Sequence, residues 1–262
     1  MLRDDTNSPK TADDTLVEST ETTTRRTLSW WGLLPPFFTL STASGLWIVY
    51  FVAVQEERII QLTNNTWRSN GPALYPPYIS IAGNFPPASC IFSEVMNLSA
   101  FVGFLTGILR YVQLKGRADM PCLNLCSLAV FSAGCFGMTL LGNFQNSRLF
   151  QVLTSMAIHN LGTFMAFGLG VVYCWLQSYI TLKANLNGEG KKVGAVRFLM
   201  SGCITVCMIL YFTLVFQQQH VHAARSQWTL VMLFLVFIGT FAVEFRHGCF
   251  YLLCTESPSS HN

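Results

Sequence analysis

The sequence predicts an all-α integral membrane protein, a bundle of six transmembrane helices with a proline- and aromatic-rich first extracellular loop. Three observations carry this. The chain is 51% hydrophobic but only 11% charged, against about 25% charged residues in soluble domains. Its apolar residues fall in long unbroken runs, not in the period-2 or period-3.6 patterns of half-buried elements. Six runs come close to the roughly 20 apolar residues that cross the hydrocarbon, and none is expected to hold an interior Lys, Arg, Asp or Glu.

Residues 1–29 are rich in Ser and Thr, carry Asp4, Asp5, Asp13, Asp14, Glu18 and Glu21, and lack any apolar stretch. They read as a disordered cytoplasmic tail. No small-residue cleavage pattern accompanies the first apolar run, which is therefore a retained span and not a signal peptide. That span covers about residues 30–54, with Pro35-Pro36 near its start, where a kink costs least. Five more follow at about 95–112, 122–141, 158–182, 196–216 and 228–245. Trp30, Trp31 and Trp228 stand at span ends, where aromatic belts form. The transmembrane domain is thus 30–247, and 248–262 form a cytoplasmic tail.

Orientation follows from the sixteen Lys and Arg, which concentrate in cytoplasmic loops and flanks. With both termini inside, twelve fall on the cytoplasmic side and only Arg58, Arg68, Arg148 and Arg225 on the other. The sequon Asn64-Asn65-Thr66 then lies in the first outer loop, making Asn64 a glycosylation candidate. A second sequon, at Asn97, lies too close to the membrane to be an acceptor.

The chemistry-bearing residues are sparse. No His-Glu-x-x-His, phosphate-cradling Gly-rich loop or Gly-x-Ser-x-Gly elbow occurs, so no catalytic residue, cofactor or metal site is expected and the chain does not read as an enzyme. A net charge of +3, scattered along the chain, gives no nucleic-acid surface. His220 and His222 read as solvated loop residues, since two histidines without a third ligand rarely hold zinc. Of nine cysteines, only Cys90 is placed in a long polar loop, so no disulfide is expected there. Cys249 and Cys254, after the last span, are palmitoylation candidates.

Spans without charge leave an ion path only neutral polar groups or backbone carbonyls as lining. Asn97, Asn143, Gln145 and Gln177 are the candidates, with Asn124, Thr139 and Thr163 behind them; the alternative is that they pack helices together through hydrogen bonds. Glu94 and Glu244 stand at span edges, where pairing or simple solvation accounts for them. Gly103-x-x-x-Gly107 and the ladder Gly162, Ala166, Gly170 put small residues on one face, suited to close packing within the bundle. The basic fourth loop, with Lys191 and Lys192, is placed to contact anionic lipid or a cytosolic partner.

The first outer loop ends in Pro77-Tyr78-Ile79-Ser80, Gly83 and Pro86-Pro87-x-Ser89-Cys90-x-Phe92, with Asn97 and Arg110-Tyr111 in the span that follows. With Gly142-Asn143-Phe144-Gln145 and His159-Asn160-x-Gly162, this order of motifs resembles the family of damage-regulated autophagy modulators and Sfk-type membrane proteins. Tyr78, Ser80, Gly83, Pro86, Pro87 and Cys90 carry the loop part of the likeness. Gly45-Leu46-Trp47-Ile48-Val49-Tyr50-Phe51, Phe136-Gly137-Met138-Thr139-Leu140-Leu141 and the stretch from Gly239 to His247 look most like its C-type transmembrane protein 150, or tentonin, branch. The resemblance implies a plasma-membrane or endolysosomal protein, acting as a component or modulator of a mechanically activated cation channel. The alternative it implies is a non-conducting scaffold in phosphoinositide and lipid organisation or autophagic traffic. Membrane lipid, another ion channel or a second copy of the chain are the partners to expect.

Overall fold

The computed structural model describes residues 29–64, 74–116, 119–144 and 152–248. The expected tails lie almost wholly outside these residues, as do Gln145, Cys249 and Cys254 and two members of the first sequon, Asn65 and Thr66.

Six helices are long and apolar enough to cross a membrane: α1 (Trp30–Gln55), α2 (Ala88–Leu114), α3 (Pro121–Asn143), α4 (Ser155–Ala184), α5 (Gly190–Phe216) and α6 (His220–Phe245). At 1.5 Å per residue, the shortest of them, α3, rises about 34 Å, enough for a hydrocarbon core of about 30 Å. α1 opens with a 3-10 turn, Trp30–Leu33, and places Pro35 and Pro36 in the first α-helical turn, where a missing N–H costs no hydrogen bond. Each helix packs on its neighbours in the chain, and α6 returns to α1, so the six close into a ring. The chain ends meet where it closes: the Ser29 N–H donates to the Arg246 carbonyl at 3.0 Å, and a Cβ on Gly32 would lie 3.0 Å from the Arg246 Cα. This is the terminal end of the bundle.

Small residues set the helix spacing, because two backbones can touch only where no side chain intervenes. A Cβ on Gly162 of α4 would stand 2.8 Å from the Gly137 carbonyl oxygen of α3, and one on Gly107 of α2 would stand 2.6 Å from the Phe131 ring of α3. Gly103 faces Phe38 and Cys135 in the same way. The Gly103–Gly107 face is therefore used inside the bundle. The core between the helices is apolar, with Phe38, Phe131, Tyr173, Leu235, Phe237 and Phe241 buried together.

The opposite end is capped by the segment between α1 and α2. Its Ile59 and Tyr75 form an isolated parallel bridge, and the one-turn helix Ile79–Ala82 lies over the bundle. The Ile79 N–H donates to Gln227 Oε1 at 3.0 Å, and the Trp228 indole N–H to the Pro77 carbonyl at 3.0 Å. Arg225 holds the descending part of the loop, its Nε donating to the Leu62 carbonyl at 2.8 Å.

Several expectations are corrected here. α2 begins at Ala88, α5 at Gly190 and α6 at His220, six or more residues ahead of their expected starts, because these helices rise past the hydrocarbon to meet the cap or the terminal end. Cys90 is accordingly on the first turn of α2 and not in a loop; its thiol is free and exposed. His220 is on α6, its Nδ1 3.1 Å from the Tyr78 hydroxyl. Trp228 is not a belt residue but a buried one, its ring 4.6 Å from that of Trp47.

Candidate functional site

The spans are not free of interior charge, contrary to expectation: Arg110, Arg197 and Glu244 are 1%, 0% and 4% exposed and face one another inside the terminal end, so Glu244 is paired and not solvated. Each comes from a different helix. Arg110 sits one turn before the end of α2, Arg197 two turns into α5, and Glu244 in the last turn of α6, after a break at Thr240 and Phe241. Glu244 Oε1 takes Arg197 Nη1 at 2.6 Å and Arg110 Nη2 at 3.1 Å, while its Oε2 takes Arg197 Nη2 at 2.7 Å. The Arg197 contact is thus a two-pronged guanidinium–carboxylate fork, the strongest geometry such a pair can adopt.

The remaining donors are absorbed by neutral side chains. Arg110 donates through Nε to Gln177 Oε1 at 3.0 Å, through Nη1 to Gln113 Oε1 at 2.8 Å and through Nη2 to Thr181 Oγ1 at 3.0 Å. Arg197 Nε donates to Thr240 Oγ1 at 2.9 Å, and its Nη1 also reaches Thr181 Oγ1. Gln177 passes the network to α3, its Nε2 donating to Ser127 Oγ at 2.8 Å. Gln113 Nε2 donates to the Glu244 carbonyl at 2.9 Å. Two cations meet one anion, and the excess charge is met by an aromatic face: the Phe241 ring lies 4.5 Å from the Arg197 guanidinium carbon and 5.1 Å from that of Arg110.

In this arrangement five of the six helices are tied at one level. A buried ion pair contributes little net stability relative to an apolar core, but removing one partner is costly. A second pair, Arg246 Nη2 to Glu189 Oε1 at 2.6 Å, lies half-exposed just outside the network. Glu244 therefore pairs inward across the bundle and not with its chain neighbour Arg246.

The other predicted positions scatter. Asn97 and Asn143 bond each other near the capped end, Asn97 Nδ2 to Asn143 Oδ1 at 3.0 Å and Asn143 Nδ2 to Asn97 Oδ1 at 3.2 Å, with Ser93 Oγ donating to Asn143 Oδ1 at 2.7 Å. Gln177 is at the opposite end, inside the ionic network. Asn64 is exposed and its carbonyl accepts from Arg225 Nη2 at 2.9 Å. Gly83 is pressed on Phe92, where a Cβ would come within 2.3 Å of the ring, and Tyr78 is buried beneath the cap. Burial, and then the neighbouring Tyr211 hydroxyl, push the Tyr78 phenol well above its ordinary pKa. Ser80 lies in the one-turn helix, and Pro86 and Pro87 are exposed ahead of α2. Lys191 and Lys192 are exposed on the first turn of α5, at the terminal end.

A closed ring of six spans, tied by an internal ion network at one end and covered by a loop at the other, defines a multi-pass membrane protein. The chain belongs to the Frag1/DRAM/Sfk1/Cwh43P N-terminal domain family, whose profile matches residues 30–248. Among its relatives are the zebrafish (Danio rerio) protein named modulator of macroautophagy TMEM150B, 32% identical over 86% of this chain and 90% of its own, and the human protein of that name, 33% identical over 86% and 91%. Transmembrane protein 150A of Xenopus laevis is 29% identical over 82% of this chain and 83% of its own. No solved structure matches the chain significantly.

Proposed function

We propose that the chain is a non-conducting modulator of macroautophagy that acts as a membrane scaffold, organising lipid or phosphoinositide metabolism at the face where its termini meet. One observation carries the non-conducting part: among the described residues, the neutral polar side chains that could line a path do not form one. Asn97 and Asn143 satisfy each other at the capped end, Gln177 is bound to Arg110 and Ser127 at the terminal end, and the core between them is apolar. The names of the B-type relatives support the autophagy part.

The twelve-to-four division of Lys and Arg supports a cytoplasmic terminal end. Exposed Lys183, Lys191 and Lys192 would then face the anionic leaflet, each contributing about 1 kcal/mol of attraction. The plasma membrane and the endolysosomal membrane are the compartments proposed. In cells lacking the protein, autophagic flux should change and re-expression should restore it, while a Lys191→Gln/Lys192→Gln variant should restore it less. Equal rescue by both would remove the lipid-contact reading.

A second reading, component or modulator of a mechanically activated cation channel, is favoured by the Gly239–His247 stretch and its likeness to the tentonin branch. Purified protein in stretched liposomes separates the two. Cation current above protein-free controls would replace the scaffold reading with a channel; silence from folded protein supports the scaffold.

A further inference from the structure

A groove of about 400 Å³ opens on the side of the bundle between α4, α5 and α6, in the half nearer the cap. Its volume falls in the range of about 300–1,000 Å³ that drug-sized ligands fill. The groove exists because α4 changes partner along its length. Below Gly170, α4 is bound to α5, with Ser178 and Ser201 hydroxyls 3.0 Å apart and the Trp175 indole donating to Thr205 at 3.1 Å. Above it, α4 turns π-helical at Phe164–Leu169 and packs on α3 instead, so α5 stands away. π-Turns of this kind recur at functional sites.

The walls of the groove are aromatic, from Phe164, Phe167 and Phe212. Its upper end is polar, and the polar groups there have unused capacity. Gln227 is 5% exposed; its Oε1 is taken by the Ile79 N–H, but its Nε2 donates to nothing among the described residues. The Tyr211 hydroxyl and the Asn160 amide also line the groove, and neither side chain makes a hydrogen bond to another described residue. These groups stand near the cap-side ends of their helices, at the rim of the hydrocarbon, while the aromatic walls lie deeper along the spans. An occupant drawn from the bilayer is then apolar along its body and carries one small polar head at its upper end.

The groove's size narrows the choice further. From Asn160 to Gly168 an α-helix would rise about 12 Å, and the π-helical turn shortens this further, leaving a short, ring-walled slot. A rigid fused-ring body loses less conformational freedom in it than a flexible acyl chain does, and a hydroxyl can accept from Gln227 while donating to Asn160. We propose that this groove binds a single membrane sterol, its hydroxyl among Asn160, Tyr211 and Gln227 and its rings between Phe164, Phe167 and Phe212.

The test uses the full chain in phosphatidylcholine nanodiscs with a sterol carrying a ring-borne diazirine, irradiated and mapped by peptide mass spectrometry. Adducts should concentrate on α4 and α5 around the groove and disappear with excess unlabelled sterol. The 3α-hydroxy epimer should compete at least tenfold more weakly. Asn160→Leu and Tyr211→Phe, on surfaces that need no repacking, should each lower labelling at least threefold. Gly168→Leu, whose Cβ meets the Phe164 ring at 3.4 Å, should abolish it with thermal stability retained. Labelling spread evenly over lipid-facing positions, indifference to the epimer, or preferential labelling of the groove by a diazirine-acyl phosphatidylcholine that sterol does not displace would each overturn the proposal.

Discussion

Replacing Glu244 with Gln tests whether the terminal-end network behaves as a buried ionic site. The carboxylate is 4% exposed and holds two guanidiniums at 2.6, 2.7 and 3.1 Å. At an effective dielectric near 20, a charge pair even 4 Å apart attracts by about 4 kcal/mol, most of which offsets the cost of taking both ions out of water. Gln keeps the shape and removes the charge, so Arg110 and Arg197 are left as two buried cations with no anion. Loss of one partner in such a site costs about 3–5 kcal/mol, or roughly 6–20 °C in Tm for a chain of this size.

Arg110→Met should cost less, about 1–3 kcal/mol, because the Arg197–Glu244 fork survives; what is lost is the longer Arg110–Glu244 contact at 3.1 Å and the donor to Gln113, Gln177 and Thr181. The double variant decides the matter. With one cation and no anion, it should be destabilised by less than the sum of the two single changes. The assay is thermal unfolding of detergent-solubilised protein, followed by loss of the monodisperse size-exclusion peak. A Glu244→Gln protein within about 0.5 kcal/mol of the parent, below the usual effect of a surface change, or strictly additive single changes, would refute a desolvated three-charge site.

Phe241→Leu removes the ring shared by both guanidiniums and should destabilise the same end by about 1–2 kcal/mol in that unfolding assay, more than its lost apolar area alone explains. Gly83→Ala places a methyl against the fully buried Phe92 and should cost about 1–3 kcal/mol through overpacking, seen as faster proteolysis within the 56–87 loop. Asn97→Ala should change stability by only about 0.6 kcal/mol, the usual worth of an interhelical hydrogen bond in lipid; a much larger loss would give the Asn97–Asn143 pair a different role. Burial raises the Tyr78 pKa above its ordinary 10.0, so the stability that its neutral form contributes is complete below pH 10 and is lost as pH rises through the raised value. Tyr78→Phe should remove that alkaline loss from a pH series of the unfolding assay.

The six spans were legible because lipid imposes length and apolarity on a linear sequence, independent of neighbours. The ends of α2 and α6 were not, because residues 88–94 and 220–227 are helical where they pack on the cap, and for 220–227 the cap residues they meet lie some 150 residues away in the chain. The ionic network escaped for a related reason. Arg110, Arg197 and Glu244 stand near the limits of their apolar runs, and position along a helix says how deep a residue lies but not which way it faces. The signal available was that all three fall within two turns of the same end of the bundle, with opposite charges among them. Gln177 stands out in the sequence for its polarity, but its partner Arg110 lies 67 residues away. A tryptophan at a span limit can likewise point inward, as Trp228 does to Trp47.

The network also sets a timetable for synthesis. Arg197 emerges 47 residues before Glu244, and Gln113, beside Arg110, 131 residues before it. At about 5–20 residues per second, the second helix waits roughly 7–26 s for the residue that neutralises it. During that interval its arginine is an uncompensated cation at a membrane boundary, one turn from the helix end, where snorkelling to the interface can hold it. A chain that stops before α6 would carry both cations without their anion, so the last helix is the step at which the network is completed.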